Sequence, residues 1–177
     1  MPALLHRAPL HAARVALRDP THGDLTYSDL LHRAQAFAGE MLDLLVGDAS
    51  GKLSLDGKPV AFLCEPGHSY VITQWAIWWA GGVAVPLCTS HPLPEMEHVV
   101  VDSGAVAIVG DQTHFGTAWE LLGELIEPVH LMTVSEPAPD DPIPQAPALT
   151  SDSPATIMYT SGARCVCVCV CVCVCVC

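Results

Sequence analysis

Apolar residues recur at three- and four-residue spacing after Thr26, in the stretch TYSDLLHRAQAFAGEML. On a helix this spacing forms a single apolar stripe, so the stretch is predicted to be an amphipathic helix that packs on a core. Ser28 stands just before the stripe and is the predicted N-cap. The polar, glycine-containing residues 47–57 that follow are predicted to form a loop.

Four short apolar runs come next, at residues 60–64, 83–87, 106–109 and 129–134. Each run has the length of a buried strand, and helical patterns separate the runs. Ser69 and Thr113 are the predicted N-caps of the first and last of these helices, and Pro92 is predicted to stand in the first turn of the one between them. Strands that alternate with helices indicate βαβ units and a mostly parallel sheet covered on both faces. The predicted fold class is therefore α/β.

Residues 70–88 carry no charge and are long enough to suggest a membrane span. However, Gly81 and Gly82 interrupt the run, and Val83 and Val85 then alternate as in a strand. The prediction is a buried, tryptophan-rich helix that ends at Gly81, followed by a buried strand, with no membrane span. A membrane-associated protein that uses this segment is an alternative interpretation.

A proline-rich connector, residues 136–150, follows the predicted α/β region. Proline fixes φ and removes a backbone donor, so this segment is predicted to be extended rather than a new element. A last apolar run at residues 155–159 is predicted to be a strand. Residues 1–162 are thus assigned to one partial domain, and residues 163–177 to a separate low-complexity tail.

The tail alternates cysteine and valine from Cys165 to Cys177. As a strand it would place all seven sulfur atoms on one face, where thiolates could bind a soft metal. It could also pair as an aggregation-prone edge strand, because it is apolar, uncharged and free of proline. The third interpretation is translated repeat DNA, because TGT encodes Cys and GTG encodes Val. This interpretation is favoured, since the run lacks the turns that hold metal ligands convergently.

Charge and cysteine content exclude several classes of protein. The formal net charge is -12 with only seven Lys and Arg residues, so nucleic-acid binding is excluded. Outside the tail, Cys64 and Cys88 each lie in an apolar stretch and are predicted to be buried free thiols. The first 18 residues hold three arginines and no acid, which fits either a mitochondrial presequence or a short helical lead-in to the first helix.

Candidate chemistry lies where the last predicted strand ends, at Thr160, Ser161 and Gly162. Hydroxyl groups and free backbone N–H groups after a strand suit a phosphate, although an ordinary turn has the same composition. The order Tyr-Thr-Ser-Gly, after an α/β region and a proline-rich connector, resembles the phosphate loop of adenylate-forming enzymes. In that superfamily the loop continues as Thr-Thr-Gly-x-Pro-Lys-Gly.

A longer stretch, SYVITQWAIWWAGGVAVPLCTSHP from Ser69 to Pro92, resembles acyl-CoA synthetases. Its Gln-Trp-Ala and His-Pro motifs, together with residues 95–109, are similar to the sequences of the malonyl-CoA synthetase branch. The resemblance implies that a carboxylate attacks the α-phosphate of ATP and that coenzyme A then displaces AMP from the acyl-adenylate. It implies ATP, Mg²⁺ and coenzyme A, malonate or methylmalonate as substrate, and a mitochondrial location, the alternative being the cytoplasm.

The chain departs from the family pattern after Gly162. Ala163 and Arg164 stand where the loop should continue, and the only lysines, Lys52 and Lys58, lie far upstream. Thr160, Ser161 and Gly162 are therefore expected to be a partial phosphate loop, with no catalytic residue and no metal ligand in the chain. The expectation is an inactive N-terminal fragment that binds no cofactor productively. The alternative is a non-catalytic, thiol-rich module that binds metal or a partner.

Overall fold

The computed structural model describes residues 3–20, 22–47, 54–134, 144, 153–159 and 167–169. The helices are α1 Ala3–Arg7, α2 Tyr27–Leu45, α3 His68–Trp79, α4 Leu93–Ser103 and α5 Phe115–Glu124, and a 3-10 helix, Ala8–His11, follows α1. The strands are β1 Val15–Asp19, β2 Gly23–Thr26, β3 Pro59–Leu63, β4 Val83–Pro86, β5 Ala107–Gly110, β6 His130–Thr133, β7 Thr156–Met158 and β8 Cys167–Cys169.

A parallel sheet organises the molecule, with strand order β6-β5-β3-β4-β7. Each neighbouring pair in this order is parallel, which confirms the predicted α/β class. β8 extends the sheet antiparallel to β7, with Val168 opposite Ile157. Since the strands β3 to β7 run in one direction, their carboxyl ends share one edge of the sheet, and this is where such folds place their ligands.

Helices cover both faces of the sheet. On one face, α3 and α2 pack over Val60, Phe62 and Ala84. On the other face, Ala118 and Leu121 of α5 and Met96 of α4 pack with Ala61, Leu63 and Ile108. Consecutive residues of β3 therefore face opposite cores, which explains why the strand has no polar alternate positions. Trp75 and Trp78 of α3 are buried, as predicted.

The helix N-caps differ from the sequence predictions at three positions. Thr26, not Ser28, is the N-cap of α2, and its hydroxyl accepts a hydrogen bond from the backbone N–H of Asp29 at 3.2 Å. The N-caps of α3 and α5 are Gly67 and His114, not Ser69 and Thr113, and neither makes a side-chain cap hydrogen bond. Before α5, the side chain of Asp111 accepts a hydrogen bond from the backbone N–H of His114 at 2.8 Å. The predicted ends are correct, because Gly81 and Gly104 adopt positive φ of 78° and 66° where α3 and α4 end.

The first residues belong to the fold, as in the lead-in interpretation. α1 and the 3-10 helix place Leu5 and Ala8 in the core cluster that includes Leu30 of α2. The antiparallel hairpin β1–β2 follows them and was not predicted. Its strands are short, and the burial pattern of β1 has no buried position, so the sequence carries no clear alternation there.

Three predictions fall partly or wholly outside the described residues. Of the predicted connector 136–150, only Pro144 is described, and of the tail only the backbone of Cys167–Cys169. The predicted loop 47–57 is described at Gly47 and from Ser54 onward. In the part of the chain that the structure covers, no helix has the length and apolar character needed to cross a membrane.

A matched pair of glycine substitutions tests the close contact between β5 and α5. A Cβ on Gly110 would lie 3.0 Å from the Cα of Phe115 and 3.1 Å from the Cβ of Ala118, whereas a Cβ on Gly123 would meet nothing within 4 Å. We expect Gly110→Ala to lower the free energy of unfolding by about 1–3 kcal/mol through overpacking. Gly123→Ala should raise it by about 0.5 kcal/mol, because alanine favours a helix. Urea unfolding followed by circular dichroism measures both, and equal effects would contradict the contact.

Candidate functional site

The candidate phosphate edge begins where β7 ends. Tyr159 follows β7 at the edge of the sheet that holds the carboxyl ends of the parallel strands. Thr160, Ser161 and Gly162, the predicted phosphate-loop residues, lie outside the described residues. Their assignment remains a prediction, and the described geometry concerns the strand that leads to them.

Two kinds of hydrogen bond hold the start of β7. The carbonyl oxygen of Ala155 accepts one bond from the backbone N–H of Ala84 at 2.9 Å and another from Nε1 of Trp78 at 2.7 Å. The next residue, Thr156, pairs with Ala84 in parallel register. The tryptophan side chain therefore fixes the entry of β7 against the helix that precedes β4.

Tyr159 is tied to a helix on the other face of the sheet. Its hydroxyl donates a hydrogen bond to Oδ2 of Asp102 in α4 at 2.6 Å, and its ring packs against the cluster that contains Val85 and Leu87. Burial first, and then the bond to the Asp102 carboxylate, raises the pKa of Tyr159 to about 12. The phenol is thus a neutral donor that orients the chain just before Thr160.

Removing this hydroxyl should have a pH-dependent cost. We expect Tyr159→Phe to lower the free energy of unfolding by about 1 kcal/mol, the usual value of one net hydrogen bond. Because the folded-state pKa of Tyr159 is raised, its contribution is complete below the ordinary value of about 10 and disappears as the pH rises toward about 12. Urea unfolding of both proteins at pH 7 and in alkaline buffer measures the difference. A difference that does not change with pH would contradict the bond.

The described residues do not form a complete Mg–ATP site. Lys58 precedes β3, so it lies at the amino edge of the sheet, opposite the edge that carries Tyr159. Lys52 lies outside the described residues. In the described part of the chain no three His, Cys, Asp or Glu side chains are grouped so as to hold a metal ion. Stabilising charge on transferring phosphoryl groups requires cations near the phosphates.

A second polar cluster lies at the same edge, where β3 and β5 end, and was not predicted. The carboxylate of Asp111 accepts hydrogen bonds from the backbone N–H groups of Glu65 at 2.6 Å and His114 at 2.8 Å. Nδ1 of His114 contacts the same carboxylate at 2.9 Å, and its Nε2 lies 3.2 Å from Oε1 of Glu65. Asp111 is only 5% exposed, and Thr73 is the other buried polar residue of the described chain.

Asp111 is ionised in this setting. Burial opposes its charge, but the hydrogen bonds from Glu65 and His114 outweigh burial and lower the pKa of Asp111. The sequence does contain one signal for this cluster, since Glu65 and Asp111 each follow an apolar strand run almost directly. Parallel strands bring such positions to one edge, but only the strand order shows that these two are neighbours.

The two cysteines outside the tail differ from each other. Cys64 is buried beside Thr73, and burial raises the pKa of its thiol to about 12. Cys88 is exposed beyond the end of β4, so the prediction that it is buried was wrong. Its Sγ lies 3.2 Å from Oγ of Ser90, and hydrogen bonding by that hydroxyl lowers the pKa of Cys88. The apolar context predicted burial, but the strand ends at Pro86, before the thiol.

Sequence comparison extends over nearly the whole candidate domain. Residues 4–163 match the family described as AMP-binding enzyme. The chain is 38% identical over 164 residues to the mitochondrial malonate–CoA ligase ACSF3 of Xenopus laevis and 35% identical over 163 residues to that of Homo sapiens. In both cases the match covers 88% of this chain and 27% of the relative. The chain thus spans about a quarter of the length of these relatives.

Structural comparison agrees with the sequence match. The o-succinylbenzoate–CoA synthetase of Bacillus subtilis, solved with an acyl-adenylate intermediate, has a TM-score of 0.70 and 24% identity, covering 93% of this chain and 40% of that one. The same enzyme, solved with ATP and magnesium ion, has a TM-score of 0.67. At this level of identity the likeness establishes the fold, and the family match establishes membership. The chain belongs to the AMP-binding enzyme family.

Proposed function

We propose that residues 1–162 are the N-terminal part of an ATP-dependent acid–thiol ligase that forms malonyl-CoA or methylmalonyl-CoA. The carboxylate attacks the α-phosphate of ATP and releases pyrophosphate, and coenzyme A then displaces AMP. The observation that carries the proposal is the family match over residues 4–163, which ends at the predicted phosphate loop after β7. The mitochondrial names of the relatives support a mitochondrial location.

The contribution of this chain to such a site is one margin of the phosphate pocket. β7 is held by Ala84 and Trp78, and Tyr159 is held by Asp102, so the backbone that enters Thr160 has a fixed direction. Backbone N–H groups and hydroxyls after a strand are suited to phosphate oxygens. We infer that Thr160, Ser161 and Gly162 bind the phosphates of ATP together with residues from the rest of the full-length enzyme.

The 177 residues alone are proposed to be catalytically inactive. The two lysines precede β3, and among the residues that the structure describes no three His, Cys, Asp or Glu side chains are grouped so as to hold a metal ion. Because the family's loop lysine is absent, we expect the cations that phosphoryl chemistry requires to come from the rest of the full-length enzyme. The Cys-Val tail, residues 163–177, is proposed to be translated repeat DNA, and a spliced transcript that continues from Gly162 into a Thr-Thr-Gly-x-Pro-Lys-Gly loop would establish this.

A chimera separates the two parts of the proposal. Residues 1–162 are fused to the remaining sequence of the Xenopus laevis malonate–CoA ligase, and pyrophosphate release is measured with malonate, ATP, Mg²⁺ and coenzyme A. We expect the chimera to release pyrophosphate in a malonate-dependent manner and the 177-residue chain to release none. A folded chimera with no malonate-dependent release would refute the assignment, and release by the chain alone would refute its inactivity.

Point variants of the chimera test the predicted loop. Ser161→Ala combined with Thr160→Val should lower kcat about 100- to 1000-fold, since removing even one donor to a developing negative charge costs that much. Thr133→Val is the matched control, because Thr133 is exposed on β6, at the opposite end of the sheet from β7. Equal rates for the loop variant and the control would remove Thr160 and Ser161 from the site.

A further inference from the structure

The cluster around Asp111 lies between β3 and β5, at the switch point of the sheet, where the chain stops adding strands on one side and adds them on the other. β3 and β5 are neighbouring parallel strands, yet α3, which follows β3, packs on one face of the sheet and α5, which follows β5, packs on the other. Between such strands the two connections diverge and leave a crevice at the carboxyl edge. In open α/β sheets this crevice is the usual place for a ligand.

Three donors converge in this crevice from two separate turns. The backbone N–H of Glu65 comes from the β3–α3 turn, whereas the backbone N–H and Nδ1 of His114 come from the β5–α5 turn. They meet one carboxylate at 2.6, 2.8 and 2.9 Å. Backbone N–H groups from two segments that point at one position, beside the positive end of a helix, form an anion-binding arrangement.

We propose that this switch-point crevice is an anion site whose ligand is the chain's own Asp111 carboxylate. The side chain occupies the place that a free carboxylate would take, and it joins two turns that lie 46 residues apart in sequence. The site accepts a small, planar carboxylate of the size of formate once the Asp111 side chain is removed. It is separate from the phosphate edge at β7, because β4 stands between β3 and β7 in the sheet.

The charges that face the site agree with one anionic occupant. His114 contacts Asp111 through Nδ1 and the half-exposed Glu65 carboxylate through Nε2, so the imidazole lies between two acids. The buried thiol of Cys64 lies close enough to be affected by the charge of Asp111, and it is neutral because burial raises its pKa to about 12. The three donors to Asp111 therefore meet its carboxylate alone, and the second acid, Glu65, contacts His114 through the other ring nitrogen.

The first test uses the intact 177-residue chain. In a proton NMR titration the chemical shifts of the Glu65 and His114 amide protons should change together with pH. Both changes should have the same midpoint pH, below about 3.9, the ordinary pKa of aspartate. The midpoint lies below that value because the pKa of Asp111 is lowered in the folded protein. The stabilising contribution of the Asp111 carboxylate is therefore present above the ordinary pKa and is lost as the pH falls through the folded-state pKa. Asp111→Asn should abolish the shared midpoint. Separate midpoints, or an unchanged one in Asp111→Asn, would overturn the proposal.

The second test is chemical rescue by a free anion. Urea unfolding midpoints are measured for the natural chain, Asp111→Asn and Asp111→Gly, each in sodium formate and in sodium chloride of equal concentration. We expect formate to raise the midpoint of Asp111→Gly above its chloride value and to leave the other two proteins at theirs. The same formate effect in all three, or none in Asp111→Gly, would overturn the proposal. If Asp111→Gly does not fold in sodium chloride, we expect sodium formate to make it fold. A variant that stays unfolded in formate would overturn the proposal.

Discussion

Replacing Phe62 by alanine should lower the free energy of unfolding by about 3–5 kcal/mol, the range for a fully buried phenylalanine. Phe62 is 0% exposed in the central strand β3, and its ring contacts that of Tyr70 edge-on, with centroids 4.9 Å apart. Domains are stable by about 5–15 kcal/mol, so this loss would remove a large part of the total. Urea unfolding, followed by tryptophan fluorescence and circular dichroism, measures the change.

Phe115→Ala is the matched control for this prediction. The same atoms are removed, but Phe115 is 38% exposed at the start of α5 and is not a member of either core cluster. We expect a loss of less than about 1 kcal/mol, as for most surface substitutions. If the two variants lost equal stability, the assignment of Phe62 to the centre of the core would be wrong.

The second large effect is expected near the N terminus. Leu5 is 1% exposed in the same core cluster as Leu30 and Phe37 of α2. Leu5→Ala should therefore destabilise the protein by about 2–5 kcal/mol, because a buried leucine leaves a cavity. Thermal unfolding of the two proteins under identical conditions gives the comparison.

Leu10→Ala provides the control within the same segment. Leu10 is 76% exposed in the 3-10 helix, so its truncation should change the stability by no more than about 0.5 kcal/mol. A large effect at Leu5 and a small one at Leu10 would show that this arginine-containing segment packs as part of the domain. Two equally small effects would favour a segment that is dispensable for folding, as a presequence is.

Most of the parallel sheet could be predicted from local pattern. The runs at 60–64, 83–87, 106–109 and 129–134 became β3 to β6 within one or two residues, because fully buried strands are continuously apolar. The strand order could not be predicted, since β3 pairs with both β4 and β5 through contacts between distant residues. The hairpin β1–β2 was missed because the exposed strand β1 lacks a period-two pattern.

The caps show where local reasoning fails. Ser28 has a side chain suited to capping, but Thr26 stands two residues earlier and takes that role. Thr113 is equally suited, but α5 begins after His114, whose backbone N–H is bound by Asp111. Which of several candidate residues becomes the N-cap depends on where the preceding strand ends and how the chain turns into the helix. At the candidate site the sequence predicted Thr160, Ser161 and Gly162, and it could not show that Tyr159 is bound by Asp102, 57 residues earlier.

The two adjacent indoles of α3 have a consequence for the segment between β6 and β7. Trp79 donates its Nε1 hydrogen to the carbonyl oxygen of Pro144 at 2.9 Å, and Trp78 donates to that of Ala155 at 2.7 Å. The chain between β6 and β7 is thereby held at Pro144 as well as at Ala155, each through an indole of α3. The emission of an indole responds to hydrogen bonding at its N–H group. The chain thus carries its own fluorescent probe for any movement of the strand that leads to Thr160.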